Sequence, residues 1–285
     1  MTKLVLLALA LAACQPDTKN IERKIDALTQ EVRALRAGGV GGAAGGAAPA
    51  ARPQRVEPNP AKTYAVNIEG DPFDGPADAK ITIVKAYDYA CPFCERARGT
   101  MDQIHEKYGN DVRVVYKQLV VHPQNAMAGA LAFCAAGKQG KHKEMDAAIW
   151  DKGFKRNRDL DMSEVKDGDK TAMCWDTDKG CEKVVTYASE LGLNVDQFKA
   201  DMKGACQEQI KKDGAVMRQL SVAATPAFFV NGRFIPGGAV PMANFVPVID
   251  EELAKANEAV QKGVSQAEYY EKVVVGQGLK SVQGG

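Results

Sequence analysis

Hydrophobic residues change their spacing along the chain, and each spacing predicts a different element. Residues 79–89, AKITIVKAYDY, are rich in β-branched and aromatic side chains and predict a strand. In the segment after Cys94, apolar residues recur at helical spacing until Gly109. Residues 111–121, DVRVVYKQLVV, predict a second strand. The order strand, helix, strand is a βαβ unit, whose crossover we expect to be right-handed.

The remaining folded region changes from helical patterns to strand patterns and back. Residues from about 123 to 220 have helical patterns. Residues 224–238, ATPAFFVNGRFIPGG, predict two short strands joined by a hairpin turn at Asn231-Gly232. Residues 242–263 predict a closing helix. The pattern therefore predicts an α/β sheet domain that is interrupted by a helical insertion and then completed.

The end of the chain is predicted to add one more helix. Ser265 and Glu268 have the spacing of a capping box, which indicates the start of a short helix. We therefore expect residues 265–285 to form a helical tail after a domain at residues 61–264.

A heptad stripe precedes the sheet domain. It spans little more than two heptads, and an isolated helix of this length is marginal in water. A surface helix would have the same pattern, but no neighbouring sequence offers a partner. We therefore expect residues 14–36 to contain a short self-associating coiled-coil helix. Its apolar positions are Ile21, Ile25, Leu28, Val32 and Leu35.

Residues 37–60, AGGVGGAAGGAAPAARPQRVEPNP, have almost no large apolar side chains. They cannot support a core, and their composition predicts a linker. As a flexible coil, this segment has an r.m.s. reach of roughly 27 Å. The sheet domain is therefore expected to be tethered, yet free to move relative to the N-terminal helix.

Composition and charge narrow the class of protein. The chain has 285 residues, of which 45% are hydrophobic, and suits one large domain or two modest ones. Its formal net charge of +1 gives no global field that would attract nucleic acid. Residues 1–13 combine Lys3 with the apolar run LVLLALALAA, which is too short to span a bilayer and predicts a secretory signal peptide.

The sequence Leu11-Ala12-Ala13-Cys14 resembles a bacterial lipobox. The resemblance implies cleavage before Cys14 and acylation of this residue, which would anchor the protein in a lipid membrane. The alternative is an ordinary cleavage site near a chance cysteine. We expect the protein in the bacterial cell envelope, facing the periplasm, where cysteines form disulfides. An even number of cysteines then remains: Cys91, Cys94, Cys134, Cys174, Cys181 and Cys206.

The sequence Cys91-Pro92-Phe93-Cys94 lies where the first strand ends and the helix begins. Free backbone N–H groups and the helix dipole favour an anion there, which in this case is a thiolate. Pro92 suits the first helical position because its missing N–H would have no partner. We expect Cys91 to face outward as the attacking thiol and Cys94 to face inward as the resolving thiol.

Two other interpretations of this pair are a zinc site and a purely structural disulfide. A closed zinc site needs four ligands, and the chain has no second CxxC and no paired histidine spacing. No metal is therefore expected. A purely structural Cys91–Cys94 disulfide would close a short loop and constrain the unfolded chain little.

With these motifs, the sequence resembles the DsbA-like thioredoxin-fold disulfide oxidoreductases over most of residues 64–253. The matching stretches are DPFDGPADAKITIVKAYDYACPFC, HPQNAMAGALAFCAAGKQGKHKEM and ATPAFFVNGRFIPGG. The resemblance implies a thioredoxin fold with a helical insertion, and thiol–disulfide exchange with proteins through a mixed disulfide. It also implies that Thr225 and a cis Pro226 face the cysteine pair and bind the substrate backbone.

The sequence departs from the family pattern at two places. The strongest oxidants of the family have a histidine where this chain has Phe93, so we expect a less oxidising pair. Many relatives have an acid six residues before the first cysteine, as a proton acceptor for the resolving thiol, and here that residue is Lys85. Asp88 could replace this acid or point to solvent.

The other four cysteines allow three connectivities. Cys174 and Cys181 frame a polar loop, and a disulfide there would contribute roughly 2.5 kcal/mol in the chain-entropy model. Cys134 and Cys206 would then join two helices of the insertion. The alternative is that Cys134 and Cys206 stay reduced.

The leading hypothesis is an exported, membrane-anchored thiol–disulfide oxidoreductase, an oxidase or an isomerase, that acts on unfolded or cysteine-containing proteins. It would need an unidentified redox partner and no cofactor beyond the Cys91–Cys94 disulfide. Assembly through residues 21–35 would give a homo-oligomer, in which several sites could surround one client during isomerisation. One alternative is a non-redox, tethered binding module for unfolded proteins. Another is a structural lipoprotein that uses its coiled coil as a scaffold.

Overall fold

The computed structural model describes residues 23–27, 29–30 and 56–282. The chain divides into two compact units, residues 1–54 and 55–285. In the first unit, residues 23–27 and 29–30 are helical. Cys14 and most of the linker lie outside the described residues, so lipidation, the coiled coil and the reach of the linker stay predictions. Among the described residues, no helix is both long enough and apolar enough to cross a membrane.

A mixed five-stranded sheet forms the centre of the second unit. Its strands are Phe73–Asp74 (β1), Ile81–Tyr87 (β2), Val112–Gln118 (β3), Ala227–Val230 (β6) and Arg233–Ile235 (β7). They lie in the order β1-β3-β2-β6-β7, and only β2 and β3 run parallel within this sheet. Helix α1, Pro92–Tyr108, connects β2 to β3, which confirms the predicted βαβ unit and the α/β class.

Strand β2 is buried along its whole length, as a strand covered on both faces should be. Ile81 and Ile83 pack with Ile104 of α1 on one face. Val84 and Ala86 pack on the opposite face, in the core that also contains Met217. The strand that leads to Cys91 is therefore held by apolar contacts on both sides.

The predicted hairpin turn joins β6 to β7. Asn231 and Gly232 both have positive φ, at 42° and 78°, as a type I′ turn requires. The Asn231 side chain accepts a hydrogen bond from the backbone N–H of Thr82 at 2.8 Å, so the turn is also fixed to β2.

The segment between β3 and β6 is helical, as predicted, but it also contains a small β-hairpin that was not predicted. This hairpin pairs Glu164–Asp167 (β4) with Lys170–Met173 (β5). Most of its side chains are exposed, so it lacks the apolar alternation that identifies a strand. The helices are Pro123–Lys138 (α2), His142–Ala148 (α3), Glu182–Glu190 (α4), Val195–Lys203 (α5) and Ala205–Gln219 (α6).

Two disulfides lie in the insertion. Cys134 of α2 is bonded to Cys206 of α6, and Cys174 is bonded to Cys181 across the polar loop. This is the connectivity that the sequence analysis favoured. The first bond joins helices that are 72 residues apart at the bonded positions, whereas the second spans a separation of 7.

The tail after the closing helix α7, Val246–Gln261, differs from its prediction. Ser265 precedes a short 3₁₀ turn, but its side chain makes no capping hydrogen bond. A π-helical segment, Tyr270–Val275, follows instead of an α-helix. The buried Tyr270 hydroxyl donates to the Val66 carbonyl at 2.8 Å, so this segment is fixed to the sheet domain.

The two disulfides should stabilise the protein unequally. In the chain-entropy model, Cys134–Cys206 contributes about 4.4 kcal/mol and Cys174–Cys181 about 2.5 kcal/mol, because the first closes the longer loop. Replacing both partners of each bond with alanine, followed by urea unfolding, measures the two losses. We expect the larger fall in the free energy of unfolding for Cys134→Ala with Cys206→Ala. Equal losses would show that loop length does not set the contribution.

Candidate active site

The end of strand β2 delivers Cys91 to the N-terminus of α1. Cys91 is the N-cap residue, with an extended backbone at φ −87° and ψ 117°, and Pro92 begins the helix. The Cys91 carbonyl accepts the backbone N–H of Cys94 at 3.1 Å, which forms the first turn. The Cys91 thiol therefore lies beside backbone N–H groups that have no intrahelical acceptor.

Both cysteines are free and both are buried, with exposed fractions of 4% for Cys91 and 0% for Cys94. The expectation that Cys91 faces outward is therefore wrong, because almost none of its surface is exposed. The loop before β6 covers it, and the Cys91 thiol donates to the carbonyl of Thr225 at 3.3 Å. Cys94 faces the core, as expected.

The pKa values of the two thiols are shifted in opposite directions. A hydrogen bond from Cys94 is the main cause that lowers the pKa of Cys91 to about 5. Burial opposes this effect, whereas the backbone N–H groups of Cys94 and Phe93 add to it. Burial raises the pKa of Cys94 far above its usual range, and the hydrogen bond to Cys91 raises it further. At neutral pH, the pair is thus one thiolate and one thiol.

The peptide bond between Thr225 and Pro226 is cis, as the resemblance implied. These two residues line a groove of about 290 Å³, together with Phe93 and Phe234. The groove therefore runs along the loop that touches Cys91. The Thr225 hydroxyl is buried and has no hydrogen-bond partner among the described residues.

Phe93 is the exposed member of the motif, with 51% of its surface accessible. The guanidinium carbon of Arg96 lies 4.5 Å from the centre of its ring. An aromatic side chain flanked by a cation beside the reactive thiol offers an apolar contact to a chain that approaches Cys91.

Asp88 is held in place by backbone hydrogen bonds. Its carboxylate is fully buried and accepts the backbone N–H groups of Ala90, Val121 and His122 at 2.7, 2.7 and 2.8 Å. The imidazole of His122 lies 3.2 Å from the same carboxylate. Asp88 therefore joins the loop before Cys91 to the segment after β3, and it does not point to solvent.

Lys85 is buried under α1, with its ammonium 4.8 Å from the centre of the Tyr87 ring and 5.4 Å from that of Tyr116. Burial lowers the pKa of this lysine, while the charges of Asp146 and Cys94 raise it. Asp146 was not predicted, because nothing in the helical pattern of the insertion distinguishes it from a surface acid.

A strand that delivers a CxxC pair to a helix N-terminus, opposite a cis proline, defines a thioredoxin-fold protein with a dithiol site. The sequence model of the family described as Thioredoxin matches residues 67–251. The chain belongs to this family.

The curated relatives match this chain over only part of their length. The Na⁺/H⁺ antiporter NhaA of Herminiimonas arsenicoxydans is 33% identical over 176 residues, which are 60% of this chain and 24% of that protein. The antiporter NhaA 1 of Mycobacterium sp. (strain KMS) is 29% identical over 174 residues, which are 59% of this chain and 24% of that protein. The chain thus spans about a quarter of the length of these relatives.

Solved structures share the fold. BdbD of Bacillus subtilis, in its oxidised form, has 21% identity and a TM-score of 0.50, and the match covers 69% of this chain and all of that chain. The α-DsbA1 protein of Wolbachia pipientis has 18% identity and a TM-score of 0.52, over 68% of this chain and 96% of that chain. At these identities the likeness concerns the fold alone.

The acidities of the two thiols predict how the reduced protein reacts. Cys91 should be alkylated by iodoacetamide, with a rate that rises through pH 5 and is constant above about pH 7, because its pKa is about 5. Cys94 should stay unmodified in the folded protein at neutral pH. Mass spectrometry of the alkylated peptides and thiolate absorbance at 240 nm measure this. A midpoint near the free-thiol value of about 8.5 would contradict an activated Cys91.

Proposed function

We propose that this protein is a thiol–disulfide oxidoreductase that exchanges disulfides with protein clients through Cys91 and Cys94. The main support for this proposal is the difference in pKa between the two thiols. The pKa of Cys91 is about 5, whereas that of Cys94 is raised. The thiolate is the nucleophile in disulfide exchange, and a thiol of low pKa is also the better leaving group. Cys91 is therefore the sulfur that bonds to the client.

Oxidation of a client takes two exchanges. A client thiolate attacks Cys91 Sγ of the Cys91–Cys94 disulfide, the bond between the cysteines breaks, and Cys94 leaves with the electron pair and takes up a proton. A second client thiolate then attacks the client sulfur of the mixed disulfide and releases the Cys91 thiolate. The client loses two electrons and the protein gains them, so a redox partner must supply a disulfide to restore the site. Isomerisation begins instead with attack by the Cys91 thiolate.

The groove beside the site supports binding of an extended client chain. Thr225 and Pro226 form its edge next to Cys91, and the exposed ring of Phe93 lies at the same groove. An apolar wall favours segments that are not yet folded, because these expose apolar side chains. The clients are therefore unfolded or cysteine-containing proteins.

The proposal extends to where the protein acts. Cys14 as an acylated first residue would hold it at a membrane of the cell envelope, with the linker letting the sheet domain reach clients in the periplasm. The two disulfides in the insertion support the proposal that the protein acts in an oxidising compartment. Self-association through the heptad stripe would bring several sites to one client, which would favour isomerase over simple oxidase activity.

Reduction of insulin by dithiothreitol separates this function from non-redox binding. We expect the protein to accelerate insulin precipitation and Cys91→Ser to abolish the acceleration, because the attacking thiolate is lost. A Cys134→Ala, Cys206→Ala variant is the control, since it removes two sulfurs outside the Cys91–Cys94 pair and leaves the site intact. Equal activity of the protein and Cys91→Ser would leave the binding module as the better account.

A further inference from the structure

The last residues of the predicted linker are packed onto the sheet domain. Pro58 is buried, and the backbone N–H of Asn59 donates to the Tyr64 hydroxyl at 2.8 Å. The carbonyl of Pro60 accepts a hydrogen bond from Nε of Arg233 in β7 at 3.3 Å. Composition alone predicted a linker here, because the segment has almost no large apolar side chains. Its end is instead part of the surface of the sheet domain.

This segment forms one wall of the groove beside the reactive thiol, which we call the client groove. Glu57 and Pro58 line the groove of about 290 Å³ that Thr225 also lines. The carbonyl of Thr225 is the acceptor of the Cys91 thiol, so the groove and the thiol adjoin. An extended chain advances about 3.3 Å per residue, so only a few client residues beside the reacting cysteine occupy a groove of this size.

Glu57 gives the client groove its charge. Among the described residues that line the groove, it is the only one with an ionisable side chain. The other lining residues are apolar or glycine, apart from the hydroxyl groups of Ser221 and Thr225. Glu57 is exposed, and its carboxylate has no ion pair or hydrogen bond with the other described residues. The carboxylate is therefore available to a cation on a client.

The reactive helix carries a charge of the opposite sign. The guanidinium of Arg96 lies over the Phe93 ring, at 4.5 Å from its centre, and Arg96 does not line the client groove. An acidic client side chain would thus be attracted to the helix, and a basic one to the groove. The groove itself combines an apolar wall with one negative charge.

We propose that Glu57 is a specificity-determining residue, which favours extended client segments that carry a lysine or an arginine a few residues from the reacting cysteine. Apolar side chains of the client pack on the groove wall, and its cation pairs with the Glu57 carboxylate. The pairing acts on client binding and leaves the exchange chemistry of Cys91 and Cys94 unchanged. The proposal rests on the function proposed above and assigns a charge preference to its clients.

Synthetic peptides test this preference on the reduced protein. Each peptide has a single cysteine bonded to thionitrobenzoate, in an otherwise uncharged sequence. It carries Lys, Gln or Glu at one position a few residues before or after that cysteine. The Cys91 thiolate attacks the peptide sulfur, the bond to thionitrobenzoate breaks, and thionitrobenzoate leaves with the electron pair. Its absorbance gives the second-order rate constant.

We expect the lysine peptide to react about three- to fivefold faster than the glutamate peptide at the most sensitive position, since an exposed ion pair is weak. The preference should disappear in about 1 M salt, which screens exposed charges. Glu57→Gln should abolish the preference, and Glu57→Lys should reverse it.

Glu69→Lys is the matched control. Glu69 is also an exposed acid near the start of the sheet domain, but it does not line the client groove. This variant changes the net charge as Glu57→Lys does and should keep the preference for lysine. Alkylation of Cys91 by iodoacetamide, which is uncharged, should proceed at the normal rate in all these variants.

Three results would overturn the proposal: equal rates for the lysine and glutamate peptides at every position, an unchanged preference in Glu57→Gln, or an equal loss of preference in Glu69→Lys. Failure of the unaltered protein to release thionitrobenzoate from any peptide would instead contradict the proposed function.

Discussion

The contact between the N-terminus of α1 and the sulfur of Cys91 is the interaction on which the site depends. The Cys94 thiol and the backbone N–H groups of Cys94 and Phe93 together hold the pKa of Cys91 at about 5, against the opposing effect of burial. This balance requires β2 to end at a fixed point, and buried apolar contacts on both faces provide it. The Thr225–Pro226 loop covers the same sulfur, and β6 and β7 position this loop against β2. The sheet therefore fixes the position of the Cys91 sulfur.

Buried charged side chains attach the helical insertion to the five-stranded sheet. The Lys117 ammonium of β3 contacts the carboxylates of Asp71 and Asp213 at 2.5 and 3.2 Å, and Asp213 also accepts the backbone N–H of Gln118 at 2.9 Å. Burial and the neighbouring Asp213 raise the pKa of Asp71 to about 7, although Lys117 opposes the shift. These contacts tie α6 to the strand beside β2. The insertion is thus fixed to the sheet by polar contacts and to itself by disulfides.

Local signals in the sequence were sufficient to predict the elements nearest the Cys91 sulfur. The β2–α1–β3 unit and the Asn231-Gly232 hairpin were predicted because residue spacing and turn chemistry determine them locally. The β4–β5 hairpin was not predicted, because its exposed strands lack an alternation of apolar and polar residues. The π-helical geometry of the tail was not predicted either, because it leaves no periodic signal in the sequence. The burial of Cys91 and the position of Asp146 depend on contacts between segments far apart in the chain.

The redox potential of the Cys91–Cys94 pair, measured by equilibration with glutathione, tests the central claim most directly. A stabilised Cys91 thiolate favours the reduced form, and Phe93 replaces the histidine of the strongest oxidants. The account therefore predicts a reversible two-electron couple with a potential between about −270 mV, the thioredoxin value, and about −120 mV, the DsbA value. A potential below about −300 mV, in the range of structural disulfides, would contradict it.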